Sequence, residues 1–243
     1  MTREPDAFLG GQIRLHQLED GYRAGMDAAV LASALGLKPG QRALEFGCGA
    51  GAALLSAAAL YPDAHLTGIE RDCEAAALAQ SNIVLNGFED RVSVTEGDAL
   101  GFKAARELDA VFFNPPFFDD PAALRAPKSG KTPAWMSDAG LEAWMEAGLK
   151  RLKSGGVITV IQRADRLDDL LLALKGRAGA VVILPVQARA AEPAKRVLVQ
   201  AIKTGKGPLQ LLPPLSLHET GGPGFTPEAD AIFRGERRLA LRR

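Results

Sequence analysis

From Arg42 onward, short apolar runs alternate with longer stretches whose apolar residues recur at helical spacing. This is the pattern of βαβ units folded into a mostly parallel sheet. Strands are expected at Arg42 to Phe46, His65 to Glu70, Arg91 to Thr95, Leu108 to Phe113, and Gly156 to Gln162, the last entered from a turn at Ser154-Gly155-Gly156. Gly51 to Leu60 is rich in Ala and Leu and reads as a helix stopped near Tyr61-Pro62. Asp72 is placed to cap a second helix through Ala77, Leu78 and Ile83, ending near Asn86-Gly87. Further helices are expected at Ala28 to Leu35, Leu141 to Leu152 and Asp165 to Leu174. Ala180 to Leu184 and Arg196 to Lys203 have no helical pattern between them, so they read as a closing antiparallel pair. The expected fold class is α/β, a doubly wound, mostly parallel seven-stranded sheet with a C-terminal antiparallel strand pair. Pro208 to Pro227 reads as loop, and Phe117 to Met136 as a long connection of the kind that often carries function.

A chain of 243 residues suits one domain with a full core. Its expected parts are an N-terminal segment over 1–40 that caps the site, a core over 41–203, and a loop with a basic tail over 204–243. Lys plus Arg balance Asp plus Glu at 29 each, so there is no net field to draw the whole molecule to nucleic acid or to an anionic membrane. Any contact with RNA must then use a local patch. No apolar run is long enough to span a bilayer, and the first residues do not read as an export signal. Cys48 and Cys73 cannot build a disulfide framework, and no Cys/His spacing resembles a zinc site. A cytoplasmic protein without membrane or metal partners is expected.

The chemistry concentrates after the strands. Glu45-Phe46-Gly47-Cys48-Gly49-Ala50-Gly51 places three glycines on alternate positions between the first strand and its helix, where backbone can approach a ligand closely. Glu70 ends the second strand, where a carboxylate can accept two hydrogen bonds from a ribose diol. Asp98, in Gly97-Asp98-Ala99 after the third strand, can accept from an adenine amine. Gly47, Gly49 and Ala52 also satisfy a dinucleotide fingerprint, but the chain has little room for a separate substrate domain. Cys48 reads as a small packed residue, because no His lies near it in sequence to activate a thiol.

After the fourth strand comes Asn114-Pro115-Pro116-Phe117. Pro-Pro also simply ends a strand, yet the tetrapeptide combines two amide-facing acceptors with an aromatic ring. An exocyclic amine is a poor nucleophile because its lone pair is delocalised into the ring of the base. If the Asn114 carboxamide oxygen and the Pro115 carbonyl accept both N–H groups, the nitrogen can rehybridise and aim its lone pair at a methyl donor. Phe117 would hold the base by stacking, a contact worth about 1–3 kcal/mol on aromatic platforms. A duplex would bury the target atom, so an unpaired or flipped-out base is expected.

The order of glycine loop, Glu70, Asp98 and Asn-Pro-Pro-Phe loop resembles the class I S-adenosylmethionine-dependent methyltransferases, from about Arg42 to Lys203. That resemblance implies a Rossmann-like fold and S-adenosyl-L-methionine as cofactor, held by Glu45, Gly47, Gly49, Gly51, Glu70, Asp98 and Asn114. Gln12, His16-Gln17, Gly21-Tyr22-Arg23, Gly25-Met26-Asp27 and Glu192 to Val199 extend the likeness to nearly the whole chain. With them it resembles the bacterial tRNA adenine-N6 methyltransferases that modify a valine tRNA beside its anticodon. Transfer to adenine N6 of a tRNA is implied, with Asn114, Pro115, Pro116 and Phe117 as the catalytic loop. The family usually has Tyr where this chain has Phe117, which keeps the stacking face and deletes a hydroxyl. Phe at that position is also similar to ribosomal RNA methyltransferases, including guanine-N2 enzymes. Protein-glutamine N5-methyltransferases use a similar loop, since a side-chain amide presents the same pair of N–H groups, but they generally carry a longer helical domain before the glycine loop.

Candidate substrate contacts are Tyr22, Arg23 and Asp27 near the entrance, Arg125, Lys128 and Lys131 in the long connection, and Lys195 with Arg196 near the closing strand, where Arg189 adds charge. The tail from Arg234 to Arg243 has five arginines against Glu236 and is either a phosphate-binding patch or a solvated chain end. Trp135 and Trp144 read as packing residues. Oligomeric state is left open by the sequence.

Overall fold

The computed structural model describes residues 4–18, 25–104, 106–115 and 140–242. The chain opens with a small antiparallel hairpin, β1 (Asp6–Phe8) and β2 (Ile13–Leu15), followed by α1 (Met26–Ser33). Then come β3 (Arg42–Phe46), α2 (Ala52–Leu60), β4 (His65–Glu70), α3 (Cys73–Leu85), β5 (Val92–Glu96) and β6 (Leu108–Phe113). The second half holds α4 (Leu141–Arg151), β7 (Leu152–Arg163), α5 (Leu167–Leu174), β8 (Ala178–Gln187) and β9 (Ala194–Lys203). It ends with two short strands, β10 (Gln210–Leu211) and β11 (Leu215–Ser216), and α6 (Pro227–Phe233).

The main sheet runs β10-β8-β9-β7-β6-β3-β4-β5, with β11 also paired to β8. Only β9 runs against its neighbours, because the β8–β9 hairpin inserts it between β7 and β8. The seven expected strands are all present. The sheet is wider than expected because β10 and β11 add to its β8 edge, inside the Pro208 to Pro227 stretch read as loop. Runs of two residues are too short to show any periodicity. The three-residue strands of the N-terminal hairpin escape notice for the same reason, although Ile13 and Leu15 are fully buried. The turn expected at Ser154-Gly155-Gly156 is instead an irregularity within a longer strand. Register jumps there from Leu108 opposite Leu152 to Ala110 opposite Val157, and Gly155 supplies a left-handed backbone, φ +78°.

Side chains alternate across the sheet and feed two cores. Ala110 and Phe112 of β6 join the cluster under α1, α2 and α6, whereas Val111 and Phe113 join the cluster under α4 and α5. Helices therefore cover both faces, and the central strands β3 and β6 are buried on both sides, with apolar residues on each face. Chain order departs from β3 in opposite directions, to β4 and β5 on one side and to β6 and β7 on the other. That reversal opens a crevice at the carboxyl ends of β3 and β6, the usual ligand position in open α/β sheets. Among the described residues no helix is long and apolar enough to cross a membrane.

Candidate active site

Sheet register brings the glycine loop, Glu70, Asp98 and Asn114 to one edge. Phe46 lies opposite Ile69 on one side and Phe113 on the other, so Gly47 and Asn114 start their loops abreast. Glu70 pairs with Glu96, which places Asp98 just beyond the same edge. Asn114 is half-buried and Pro115 buried at the mouth of this crevice.

The glycine loop is a left-handed path that other residues would adopt only under strain. Gly47 has φ +62° and Gly49 φ +53°. A Cβ on Gly47 would also lie 3.0 Å from the Trp144 ring. Trp144 in turn packs edge-on against Phe46 and Phe113, with centroids 6.0 and 5.6 Å away, so it is a packing residue beneath the loop. The Cys48 N–H donates to the Ile69 carbonyl at 3.1 Å, and the Gly51 N–H to the Cys48 carbonyl at 2.8 Å. Helix α2 then starts from Gly51 without a side-chain cap.

Two carboxylates flank this loop. Glu70 accepts the Gly49 N–H at 2.8 Å on one oxygen and the Asp72 N–H at 2.9 Å on the other. Asp72 accepts from Ala75 N–H at 2.9 Å and caps α3 as expected. Glu45 lies deeper, at 3% exposure. Burial pushes its carboxyl well above the ordinary range, the charge of Glu70 adds to the rise, and the Leu54 N–H opposes it. Its Oε2 has no hydrogen-bond partner. A buried acceptor beside a second carboxylate is an electronegative pocket that a cation would satisfy. The Cys48 thiol is pushed up by burial and by both glutamates, and its sulfur would lie 2.7 Å from a Cβ placed on Gly68. It is packing, not a nucleophile.

Asp98 is exposed, and its Oδ1 accepts the Leu100 N–H at 3.0 Å. The loop around it is braced by Arg151, which donates to the carbonyls of Leu100 at 2.9 Å, Ala147 at 2.6 Å and Phe102. The same guanidinium lies over the Phe46 ring, 5.3 Å from its centroid. Sequence reasoning missed Arg151, since the Leu100 and Phe102 carbonyls it braces lie some fifty positions away along the chain. It also missed Asn82, a fully buried carboxamide in α3 that donates at 2.9 Å to the Ala50 carbonyl of the glycine loop. The available signal was a polar residue on the apolar stripe Ala75, Ala79, Asn82, Ile83.

The substrate candidates divide. Asp27 and Arg196 pair with each other at 3.0 Å, linking the start of α1 to β9, and exposed Lys195 stands beside them. Because Arg196 lies opposite Arg163 at the end of β7, this group is on the same sheet edge as the glycine loop. Arg189, nearby in sequence, pairs with Glu192 at 3.7 Å. Tyr22, Arg23, Pro116, Phe117, Arg125, Lys128, Lys131 and Trp135 lie outside the described residues. Arg243 lies outside the described residues, and the other tail arginines make contacts within the chain: Arg234 with Asp230 at 2.8 Å, Arg237 with Glu228 at 3.0 Å, and Arg238 over the Tyr61 ring. Arg242 donates to Gln200 Oε1 at 2.7 Å. The described part of the segment is a strap docked on the chain, with Arg234, Arg237 and Arg238 exposed along it. Among the described residues no group of three or more His, Cys, Asp or Glu is arranged to hold a metal ion.

Comparison with known proteins agrees with this geometry. The methyltransferase small domain family matches residues 23–181. A tRNA1(Val) (adenine(37)-N6)-methyltransferase of Porphyromonas gingivalis is 30% identical over 177 residues, covering 69% of this chain and 69% of that protein. Ribosomal RNA small subunit methyltransferase C of Stutzerimonas stutzeri is 35% identical over 95 residues, which is 39% of this chain and 28% of that one. Among solved structures, one from Agrobacterium tumefaciens described as a predicted O-methyltransferase superposes with a TM-score of 0.73 at 29% identity, covering 88% of this chain and 98% of that chain. With the reversal point, glycine loop and paired carboxylates already in place, the chain belongs to the methyltransferase small domain family and, within the class I S-adenosylmethionine-dependent enzymes, to the tRNA1(Val) adenine-N6 methyltransferase group.

Proposed function

We propose that this protein transfers a methyl group from S-adenosylmethionine to the exocyclic N6 of an adenine in a tRNA. The observation that carries the reading is the convergence of Gly47, Glu70, Asp98 and Asn114 on the carboxyl edge of the sheet where strand order reverses. The residues fit the cofactor. Gly47, Gly49 and Gly51 leave backbone room, Glu70 keeps acceptor capacity for a ribose diol, and Asp98 is exposed to accept from an adenine amine. The orphaned Glu45 Oε2 beside Glu70 is a buried polar atom that a positively charged ligand can satisfy, and such a ligand favours the ionised carboxylate that burial disfavours. When bound, S-adenosylmethionine supplies an electrophilic methyl on cationic sulfur and a neutral leaving group.

The chain's part in the reaction is orientation and electrostatics. Asn114 Oδ1 and the Pro115 carbonyl accept the two N–H groups of the target amine, which frees its lone pair from the ring. In this reading Phe117 stacks on the base, and Pro116 belongs to the same catalytic loop. The proton leaves after transfer. An adenine in a loop is already unpaired and can be splayed into such a pocket. Two N–H acceptors match an amine better than a hydroxyl, so the reading is of an N-methyltransferase, acting on tRNA in the cytoplasm.

A second reading is ribosomal RNA, favoured by the segment shared with ribosomal RNA small subunit methyltransferase C. The test is to incubate the protein and labelled S-adenosylmethionine with deproteinised total RNA, size-fractionated RNA and a protein extract, and then to identify the modified residue. Label in N6-methyladenosine of tRNA is expected. N2-methylguanosine in ribosomal RNA selects the second reading, and methylated glutamine overturns both.

A further inference from the structure

Asn82 does more than support α3. Its Oδ1 accepts the His16 N–H at 2.8 Å, while Nδ2 donates to the His16 carbonyl and to the Ala50 carbonyl, each at 2.9 Å. One turn later, Asn86 repeats the first half of this arrangement. Its Oδ1 accepts the Arg14 N–H at 2.8 Å, and its Nδ2 donates to the Arg14 carbonyl at 2.8 Å and to the Asn82 carbonyl at 2.7 Å. Two carboxamides four positions apart thus satisfy the backbone of alternate residues, Arg14 and His16, along the edge of β2 turned away from β1. Only Asn82 also reaches the glycine loop.

We propose that Asn82 is a positioning residue for cofactor binding, which ties the glycine loop to the N-terminal strand through one buried carboxamide. The inference rests on the glycine loop being the S-adenosylmethionine site. Two side chains hold the loop from opposite ends: Glu70 takes the Gly49 N–H, and Asn82 takes the Ala50 carbonyl. Because a trans peptide is planar, turning the Ala50 carbonyl toward Asn82 also fixes where the Gly51 N–H points. That N–H donates to the Cys48 carbonyl and closes the turn. Asn82 is 0% exposed, so no water replaces a lost bond at low cost. Docking of residues 13–18 and the shape of the loop therefore depend on the same group.

Asn86 provides the control, since it anchors the same strand without touching the loop. S-adenosylhomocysteine affinity is measured by calorimetry for the wild type, Asn82→Ala and Asn86→Ala, with thermal melts alongside. Asn82→Ala is expected to weaken binding about ten-fold or more, the effect of losing a buried hydrogen bond, and to raise KM for S-adenosylmethionine more than it lowers kcat. Asn86→Ala is expected to stay within about two-fold of the wild type while losing comparable thermal stability. Equal affinity changes in the two variants, or none in either, would overturn the proposal. If Asn82→Ala does not fold, Asn82→Ser, which keeps one polar group at the site, takes its place with the same expectations. A wild-type protein that fails to bind S-adenosylhomocysteine would instead overturn the reading of the glycine loop itself.

Discussion

On the proposed reading of the site, Glu45 both opposes the stability of the free protein and serves its ligand. Its carboxyl is held above the ordinary range by burial first and Glu70 second. A group whose pKa is raised on folding contributes stability that is fully present below its unfolded pKa and is lost as pH rises through the folded value. The ligand-free protein should therefore lose stability as pH rises from the ordinary carboxylate range. Glu45→Gln, which removes the charge and keeps the shape, should melt higher than the wild type at pH 7 and equally at pH 4. The same variant should bind S-adenosylmethionine about ten-fold more weakly, because the acceptor facing the ligand's positive charge is then a neutral amide. Thermal melts across pH and one calorimetric titration check both halves; a lower melting point at pH 7 would remove Glu45 from this role. On the proposed mechanism, Asn114 acts on the other reactant. Asn114→Ala should lower methyl transfer by about 100-fold or more, the scale of losing a preorganised polar group at a reacting centre, while changing cofactor affinity far less. Single-turnover label transfer compared with calorimetry separates the two effects.

At the scale of elements, helix α3 links capping to the site, because Asp72 caps its first turn while the Asp72 N–H donates to Glu70. Asp72→Ala should cost about 1 kcal/mol in urea unfolding; an unchanged midpoint would mean that the cap contributes nothing. This cap was legible in the sequence, as were the bounds of β3, β4 and β6. Central parallel strands are apolar on both faces and stop where the sheet edge becomes loop. The placement of the glycine loop, Glu70, Asp98 and Asn114 was legible for a related reason, since each lies at or just beyond a strand end. What escaped depends on pairing between distant segments. β10 and β11 are strands only because β8 offers them an edge. Ser154-Gly155-Gly156 carries turn residues, yet β6 and β9 hold the surrounding chain in the sheet. Arg151 and Asn82 matter through backbone carbonyls far along the chain, and single-sequence periodicity contains no information about such partners.

Across the whole molecule, the question is where a chain with 29 basic and 29 acidic residues holds an RNA. Its densest run of arginine is tied to the chain's own acceptors, most deeply at Arg242. Arg242 reaches Gln200 through both its side-chain amide oxygen and its backbone carbonyl, at 2.7 and 3.1 Å, and Gln200 in turn donates to Thr159 and to the Ala34 carbonyl. The tail therefore fastens α1 to the sheet. Lys195 is the contrasting case: an exposed cation at the start of β9, on the edge that carries the glycine loop, beside an Arg196 already paired with Asp27. These placements predict opposite outcomes for two single charge removals. Arg242→Ala should lower stability by about 1–3 kcal/mol, because it strips a buried amide of its partner, and should leave RNA affinity close to wild type. Lys195→Ala should leave the melting point nearly unchanged, weaken tRNA binding uniformly, and flatten the slope of log affinity against log salt by about one unit, as expected for one lost phosphate contact. Binding titrations at several salt concentrations, paired with thermal melts, distinguish the two. If Arg242→Ala flattens the salt slope and Lys195→Ala does not, the RNA lies across the strap and not along the carboxyl edge of the sheet.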